Sequence, residues 1–219
     1  MVQKFLAIVM AGGLGSRMRE LGEKPLVKIG GKEILSLVVQ ALRNSKYIEQ
    51  IIVACSPYTP STVTEARKFG MTVVIAPGAG YIEDMRYVIK RVNTGHSGAV
   101  IVNSDLPFLT GDLINSAIED FLRVKKHALA VMVPAWRMRK LGFEPSLVLN
   151  DLSPAGLNIL DTKALVEKSD NDWLEQETMI VTNKVFQLVN VNTPDDVRRA
   201  EWLLARGTIR ETDTGGPNT

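Results

Sequence analysis

A glycine-rich turn and two cationic side chains follow the first apolar run of this 219-residue sequence. The turn contains Gly12, Gly13 and Gly15, and the cations are Arg17 and Lys24. Glycines let a backbone approach phosphate oxygens closely and adopt angles that a Cβ would forbid. Arginine binds two phosphate oxygens in a fork, whereas lysine acts as a movable point charge. These residue types in this order favour a polyphosphate ligand such as a nucleoside triphosphate.

Spacing excludes two common phosphate-binding motifs. A dinucleotide fingerprint needs G-x-G-x-x-G, and the stretch that starts at Gly13 has Met18 in the last glycine position. A Walker phosphate loop needs G-x-x-x-x-G-K-[ST], and the Gly-Lys pair at 31–32 is followed by glutamate and has Leu26 in place of the first glycine. An ordinary glycine turn beside a solvated basic surface remains the alternative to a triphosphate loop.

A candidate metal ligand, Asp105, follows the fourth apolar run of the chain. Hard oxygen donors suit Mg²⁺, which takes one or two carboxylates and completes its shell with phosphate oxygens and water. The alternative is an aspartate that caps the turn before Pro107.

Alternating strands and helices must position these residues. Four short apolar runs are typical of parallel strands buried on both faces. They span residues 5–10, 50–55, 71–76 and 98–103. Apolar side chains at helical spacing lie between or after them, over residues 34–42, 82–92 and 113–121. Because parallel neighbours need a long connection, this order predicts an α/β fold with the glycine turn at the carboxyl edge of the sheet, where such folds bind ligands.

The second half of the chain breaks this alternation. After the apolar run at 128–134, the runs at 146–149 and 156–160 predict antiparallel or mixed strands at one edge of the sheet. Residues 184–190 are predicted to form a further strand, and residues 195–206 a final helix. We expect a single domain over residues 1–207 and a disordered tail at 208–219.

Composition excludes several other classes of protein. Hydrophobic residues make up 45% and charged residues 23% of the chain, as in ordered globular proteins. The net charge of +2 gives no argument for a nucleic-acid partner. No apolar run approaches the ~20 residues that a membrane helix needs. A secretion signal is not evident either, so we expect a cytoplasmic protein with no membrane partner.

The glycine turn also carries a resemblance. The stretch Ala11-Gly-Gly-Leu-Gly-Ser-Arg-Met18, followed by Lys24-Pro-Leu26, resembles the signature of the nucleotidyltransferase superfamily, which includes sugar-nucleotide pyrophosphorylases and molybdenum-cofactor guanylyltransferases. This resemblance implies a Rossmann-like, three-layer nucleotide-diphospho-sugar transferase fold with a mixed, mainly parallel sheet. It also implies that Arg17 stabilises the leaving pyrophosphate and that Lys24 neutralises charge at the α-phosphate. The implied nucleotide-binding residues of this segment are Ala11, Gly12, Gly13, Gly15, Ser16, Arg17 and Lys24.

Further site residues follow from the same resemblance. Asp105 matches an aspartate-x-proline motif that binds both nucleotide and magnesium, and Asn192 matches a second oxygen ligand of the metal. The alternative for Asn192 is the cap of the last helix. Gly80 and Tyr81 match the loop that contacts the nucleoside, although they are also typical of a helix start. Two more candidates for the base pocket, at the end of the second strand, are Ser56 and Pro57.

Later segments resemble a narrower family, the archaeal GTP:adenosylcobinamide-phosphate guanylyltransferases. They span residues 80–85, 128–134, 154–160, 177–181 and 190–196. The resemblance implies Mg²⁺-dependent transfer of GMP from GTP to a corrinoid phosphate. Gly156 and Asn158 match the acceptor region, or else mark a close approach of two backbones in a sheet. Molybdopterin or a sugar phosphate as acceptor, a non-catalytic nucleotide-binding subunit, and a monomer or a homodimer all remain open.

Overall fold

A seven-stranded sheet forms the centre of the computed structural model, which describes residues 3–92, 96, 98–162 and 177–206. Its strands are β1 (Phe5–Met10), β4 (Ile48–Cys55), β5 (Thr72–Ile75), β6 (Ala99–Asn103), β7 (Ala128–Pro134), β8 (Leu152–Leu160) and β9 (Glu177–Val181). They lie in the order β5-β4-β1-β6-β8-β7-β9. A separate short hairpin consists of β2 (Lys28–Ile29) and β3 (Lys32–Glu33).

Helices cover both faces of this sheet. They are α1 (Ile34–Arg43), α2 (Pro60–Lys68), α3 (Tyr81–Arg91), α4 (Gly111–Val124), α5 (Ala135–Lys140) and α6 (Pro194–Ala205). Alternate residues of β1 enter two different apolar clusters: Phe5 and Val9 join the one that contains α1 and α4, and Ile8 joins the one that contains α3. Because successive strand residues point to opposite faces, the three-layer α/β prediction is confirmed.

The four predicted parallel strands form one continuous block. β4 and β6 flank β1 in parallel, with Met10 opposite Ala54 on one side and Asn103 on the other. The carboxyl ends of all three strands therefore meet at one edge of the sheet. The expected burial of β5 on both faces is wrong, since Thr72 and Ile75 are exposed. This strand is the outermost one, so it has a neighbour on one side only.

The second half of the chain extends the sheet as predicted. β8 lies antiparallel between β6 and β7, and β9 runs parallel to β7. The apolar run at 146–149 does not form a strand of its own, and only Leu149 pairs with Leu152 in an isolated bridge. The sequence did not predict β9 as a strand.

The strand predicted at 184–190 is wrong. A 3-10 helix, Val185–Leu188, occupies most of this segment. Val185 and Leu188 are buried three positions apart, which fits a 3-10 turn rather than the alternation of a strand. Phe186 stacks on Phe108, with ring centroids 4.4 Å apart.

The prediction of a final helix is confirmed. α6 begins at Pro194, one residue before the predicted start at residue 195. The predicted tail at 208–219 lies outside the described residues. Within the described part of the chain, no helix has both the length and the apolar character needed to cross a membrane.

Candidate active site

A cavity of about 390 Å³ opens at the carboxyl edge of β1, β4 and β6. It brings together most of the predicted nucleotide and metal residues, which come from five separate segments of the chain. Those present in its wall are Ala11, Gly12, Gly13, Gly15, Ser16, Arg17, Lys24, Gly80, Tyr81, Asp105 and Asn192.

The glycine turn packs against the end of β4. A Cβ built on Gly12 would lie 3.0 Å from Ser56 Cβ, and the Ser56 hydroxyl donates a 2.6 Å hydrogen bond to the Gly12 carbonyl oxygen. Gly15 has a φ of 57°, in the left-handed region that favours glycine. A Cβ on Gly13, by contrast, would meet nothing within 4 Å. The fold itself explains glycine at 12 and 15, whereas Gly13 leaves backbone open to a ligand.

The two candidates for the base pocket, Ser56 and Pro57, lie behind the glycine turn. Neither residue is in the wall of the cavity, and Ser56 is only 1% exposed because it supports the glycine turn from behind. Tyr58, two residues further on, lines the cavity instead. No local pattern predicts which of these residues faces the cavity, because that depends on which way the turn after β4 folds.

A cation and two oxygen donors converge beside the glycine turn. Lys24 Nζ lies 2.5 Å from Asp105 Oδ2 and donates a 2.7 Å hydrogen bond to Asn192 Oδ1. The other carboxylate oxygen of Asp105 accepts a 2.9 Å hydrogen bond from Asn190 Nδ2. Asp105 is 8% exposed, so its charge is largely removed from water and is balanced by Lys24.

A neighbouring acidic residue holds the segment that carries Lys24. The Glu23 carboxylate accepts hydrogen bonds of 2.8 and 2.6 Å from the backbone N–H groups of Ser61 and Thr62, at the start of α2. Desolvation opposes ionisation of Glu23, but the hydrogen bonds from Thr62 and Ser61 outweigh it and hold the pKa of this carboxyl below its usual value. Lys24 is thereby tied to α2.

Residues 192–194 form the cap and first turn of α6, as the alternative predicted, but the capping side chain is that of Thr193 rather than Asn192. The Thr193 side chain accepts a hydrogen bond from Asp196 N, and Asp196 Oδ2 accepts in return from the backbone N–H groups of Thr193 and Asn192. This capping box fixes the backbone of Asn192 and leaves its side-chain oxygen to face Lys24.

The donors around Lys24 suit a hard cation. In the described part of the chain, no group of three or more His, Cys, Asp and Glu residues could hold a metal ion. A metal at this site would therefore rest on one carboxylate, Asp105, and one amide oxygen, Asn192, with ligand oxygens and water completing the shell. This donor set fits Mg²⁺, which is usually bound through one or two carboxylates together with substrate phosphates.

A second cavity, of about 270 Å³, adjoins the first. The two share four wall residues, Tyr81, Asn103, Asp105 and Asn192. The predicted acceptor residues lie in the wall of the second cavity, which is formed by Tyr81, Asn103, Asp105, Ser146, Leu147, Ser153, Pro154, Gly156, Asn158, Asn190 and Asn192. None of these described wall residues is Lys or Arg.

Asn103, which the sequence analysis missed, lies at the boundary of the two cavities. A Cβ on Gly156, whose φ is 72°, would lie 2.6 Å from Asn103 Nδ2, so glycine there makes room for this amide. Asn103 Oδ1 is buried and has no hydrogen-bond partner among the described residues. A polar residue at the carboxyl end of a central strand was the signal that could have identified it.

Two contacts of α3 complete the boundary. Tyr81 is 42% exposed as a whole, but desolvation of its hydroxyl raises the pKa of this group, against the effect of the hydrogen bond with Asn158. Asp84, another residue that the sequence analysis did not assign to the site, is 7% exposed, and its Oδ1 accepts hydrogen bonds from Gly78 N and Ala79 N. Asp84 therefore fixes the loop that leads into Tyr81.

Arg17 reaches across the site in a different direction. Its side chain is exposed, lines the first cavity and donates a 3.3 Å hydrogen bond to Ser146 Oγ. Ser146 in turn lines the second cavity. The cationic loop of one cavity is thus connected to the wall of the other.

The fold and the site together define a nucleotidyltransferase, and residues 7–200 match the family model of the MobA-like NTP transferase domain. The chain belongs to this family. One relative, the adenosylcobinamide-phosphate guanylyltransferase of Methanocaldococcus jannaschii, is 35% identical over 210 residues, which cover 91% of this chain and 97% of that protein.

Solved structures show the same fold. A CMP:2-keto-3-deoxy-manno-octonic acid synthetase complexed with CTP superposes with a TM-score of 0.66 at 12% identity and covers 93% of this chain and 99% of its own. The molybdopterin-guanine dinucleotide biosynthesis protein A of Archaeoglobus fulgidus gives a TM-score of 0.64 at 16% identity, with coverage of 92% and 100%. The chain has the nucleotide-diphospho-sugar transferase fold that its glycine loop implied.

Proposed function

We propose that this protein transfers GMP from GTP to adenosylcobinamide phosphate in the cytoplasm and releases pyrophosphate. The name of the M. jannaschii relative, at 35% identity, supports this choice of nucleotide and acceptor. The observation that carries the proposal is the pair of adjoining cavities that share Asp105 and Asn192. A donor nucleotide and an acceptor placed in these cavities would meet at the cluster formed by these two residues and Lys24.

The triphosphate would lie along the glycine turn in the first cavity, and the acceptor phosphate would enter from the second. An oxygen of the acceptor phosphate forms a bond to the α-phosphorus, the bond from that phosphorus to the bridging oxygen breaks, and its electron pair leaves with pyrophosphate. The acceptor phosphate is already anionic near neutral pH, so the attack needs no general base. Lys24 stabilises charge at the α-phosphate, and Arg17 stabilises charge on pyrophosphate.

Asp105 and Asn192 would hold Mg²⁺. When bound, this ion supplies neutralisation of negative charge on the phosphate oxygens. Its donors are oriented by the chain itself: Asn190 fixes one oxygen of Asp105, and the capping box of α6 fixes the backbone of Asn192. This orientation lets the cluster act without large rearrangement of the backbone.

An acceptor screen tests the proposal. The purified protein is incubated with Mg²⁺, GTP and one of three acceptors, namely adenosylcobinamide phosphate, molybdopterin or glucose 1-phosphate, and pyrophosphate release is measured. We expect release with adenosylcobinamide phosphate. Pyrophosphate release with molybdopterin alone would instead favour the activity that the name of the A. fulgidus protein describes. Tight GTP binding without release in any mixture would indicate a non-catalytic nucleotide-binding subunit.

Variants test the residue roles in the same assay. Asp105→Ala is expected to abolish metal-dependent transfer, whereas Asp120→Ala, which removes the half-buried partner of the exposed Arg123 on α4, serves as the control. Lys24→Ala should lower turnover more than it lowers GTP affinity, because its proposed role is in the transition state. Wild-type rates in Asp105→Ala or Lys24→Ala would contradict the mechanism.

A further inference from the structure

Three consecutive apolar side chains are exposed beside the second cavity. Leu147, Val148 and Leu149 are 53%, 37% and 46% exposed, and Leu147 itself lines the cavity. We call these three residues the apolar strip. Scattered exposed apolar residues are ordinary. An uninterrupted exposed run of this kind is unfavourable in water and is typical of a surface that binds another molecule.

The apolar strip is held in place at both ends. At its carboxyl end, Leu149 and Leu152 exchange backbone hydrogen bonds of 2.7 and 3.0 Å across a turn whose central residues, Asn150 and Asp151, have φ values of 47° and 63°. Two successive left-handed residues are typical of a type I′ turn, which Asn and Asp tolerate well. At its amino end, Ser146 accepts the hydrogen bond from Arg17. The strip is therefore fixed to β8, the strand that carries the predicted acceptor residues.

The wall beneath the strip is polar but carries no cationic side chain among its described residues. It contains four amide side chains, three hydroxyl groups and one carboxylate: Asn103, Asn158, Asn190, Asn192, Tyr81, Ser146, Ser153 and Asp105. Amides and hydroxyls bind hydrogen-bonding groups of a ligand. The cations nearest to this wall are Arg17 and Lys24, which contact Ser146 and Asp105 and are available to a phosphate. A small, hydroxyl-rich sugar phosphate would leave the apolar strip in water, whereas a larger ligand would cover it.

We propose that the apolar strip determines acceptor specificity by binding the apolar body of a large phosphate ester, while the amides below it bind polar groups on the same acceptor. This inference rests on the proposed function, because it takes the second cavity as the acceptor site. It adds that the acceptor is bound through its body as well as its phosphate. A corrinoid, with a wide macrocycle and peripheral amides, has this combination of surfaces.

Leu147→Ser and, separately, Val148→Ser test the inference. Each variant is expected to raise the KM for adenosylcobinamide phosphate. The increase for Leu147→Ser should be about tenfold, because one leucine-sized apolar contact is lost. The turnover number and the GTP dissociation constant should stay at the wild-type values, and Leu147→Met should restore KM. Phe69→Ser is the matched control, because Phe69 is also an exposed apolar residue, with 52% of its surface exposed. It lies at the end of α2, which packs on β5, at the opposite edge of the sheet from β8 and the second cavity.

Direct binding gives a readout that does not depend on transfer. Adenosylcobinamide without its phosphate should bind the wild-type protein and bind Leu147→Ser more weakly. If the wild type transfers GMP to the corrinoid phosphate and both serine variants keep its KM, the inference is overturned and the proposed function stands. Transfer to glucose 1-phosphate alone, at equal rates in wild type and Leu147→Ser, would overturn both.

Discussion

Replacing Lys24 with methionine removes a cation from the position that a metal ion would take. The ammonium nitrogen lies 2.5 Å from Asp105 Oδ2 and 2.7 Å from Asn192 Oδ1, the same two oxygens to which we assign Mg²⁺. A divalent ion that binds both oxygens must first displace the ammonium group. We therefore expect Lys24→Met to bind Mn²⁺, a spectroscopic substitute for Mg²⁺, more tightly than the wild-type protein does in the absence of nucleotide.

The size of this effect follows from the two contacts. A hydrogen bond to a charged group contributes ~1.5 kcal/mol net at the lower end of its range, so displacing both costs ~3 kcal/mol in the wild type and nothing in the variant. Each ~1.4 kcal/mol corresponds to a tenfold change in affinity. We expect Mn²⁺ to bind Lys24→Met about 10- to 100-fold more tightly, the lower figure applying if only one contact is lost on metal binding.

Electron paramagnetic resonance of free Mn²⁺ measures this affinity directly, with Lys28→Met as the control because Lys28 is exposed on β2. Thermal unfolding gives a second readout. Without Lys24 the buried Asp105 carboxylate loses its cation, which lowers stability by about 3 kcal/mol, and added Mg²⁺ should restore much of this loss. A folded Lys24→Met protein with wild-type Mn²⁺ affinity would refute the assignment of Asp105 and Asn192 to the metal.

Three further predictions follow from packing and burial. Gly12→Ala should lower Tm, since its Cβ would meet Ser56 Cβ at 3.0 Å. Gly13→Ala should keep the wild-type Tm and weaken GTP binding in a calorimetric titration. Equal losses of Tm in the two variants would contradict this prediction. Asp84→Ala should lower the free energy of unfolding by about 1–3 kcal/mol because two backbone N–H groups lose their acceptor. Urea titration measures this loss, with Glu83→Gln, a change at an exposed position, as the control. Burial raises the pKa of Cys55 from 9.0 to about 11, so iodoacetamide should label it at pH 8 only after unfolding. Because the unfolded chain loses the thiol proton first, stability should fall as pH rises above 9; rapid labelling of the native protein would contradict this burial.

Local sequence patterns were sufficient for the part of the site that neighbouring parallel strands build. Gly12 and Asp105 follow β1 and β6, and strands that are paired in parallel end at the same edge of a sheet. Their proximity could be predicted without any knowledge of the rest of the chain. Asn192 is different, because it lies 168 residues from its partner Lys24 and reaches it through the position of α6. Only the resemblance to a known family pointed to it.

Features that the sequence did not predict share a physical cause. The apolar pattern at 184–190 suits a strand, but the core accepts only Val185 and Leu188, at the spacing of a 3-10 turn. The sequence also gives no indication that the Ser56 hydroxyl holds the Gly12 carbonyl oxygen. In both cases the outcome depends on tertiary packing, which a short window of sequence does not contain.

The antiparallel direction of β8 explains how the two cavities come to adjoin. Because β8 runs against β6, the segment near its amino end lies beside the carboxyl end of β6, and Gly156 faces Asn103 there. The first cavity is built mainly from β1, β4 and the loops after them, while the second cavity is built largely from β8 and the segment before it. The residues at the boundary serve both. If the second cavity binds the acceptor as proposed, changes in β8 or in the apolar strip would alter which acceptor is bound without disturbing the glycine turn, Lys24 or Asp105, which would be the same for every acceptor.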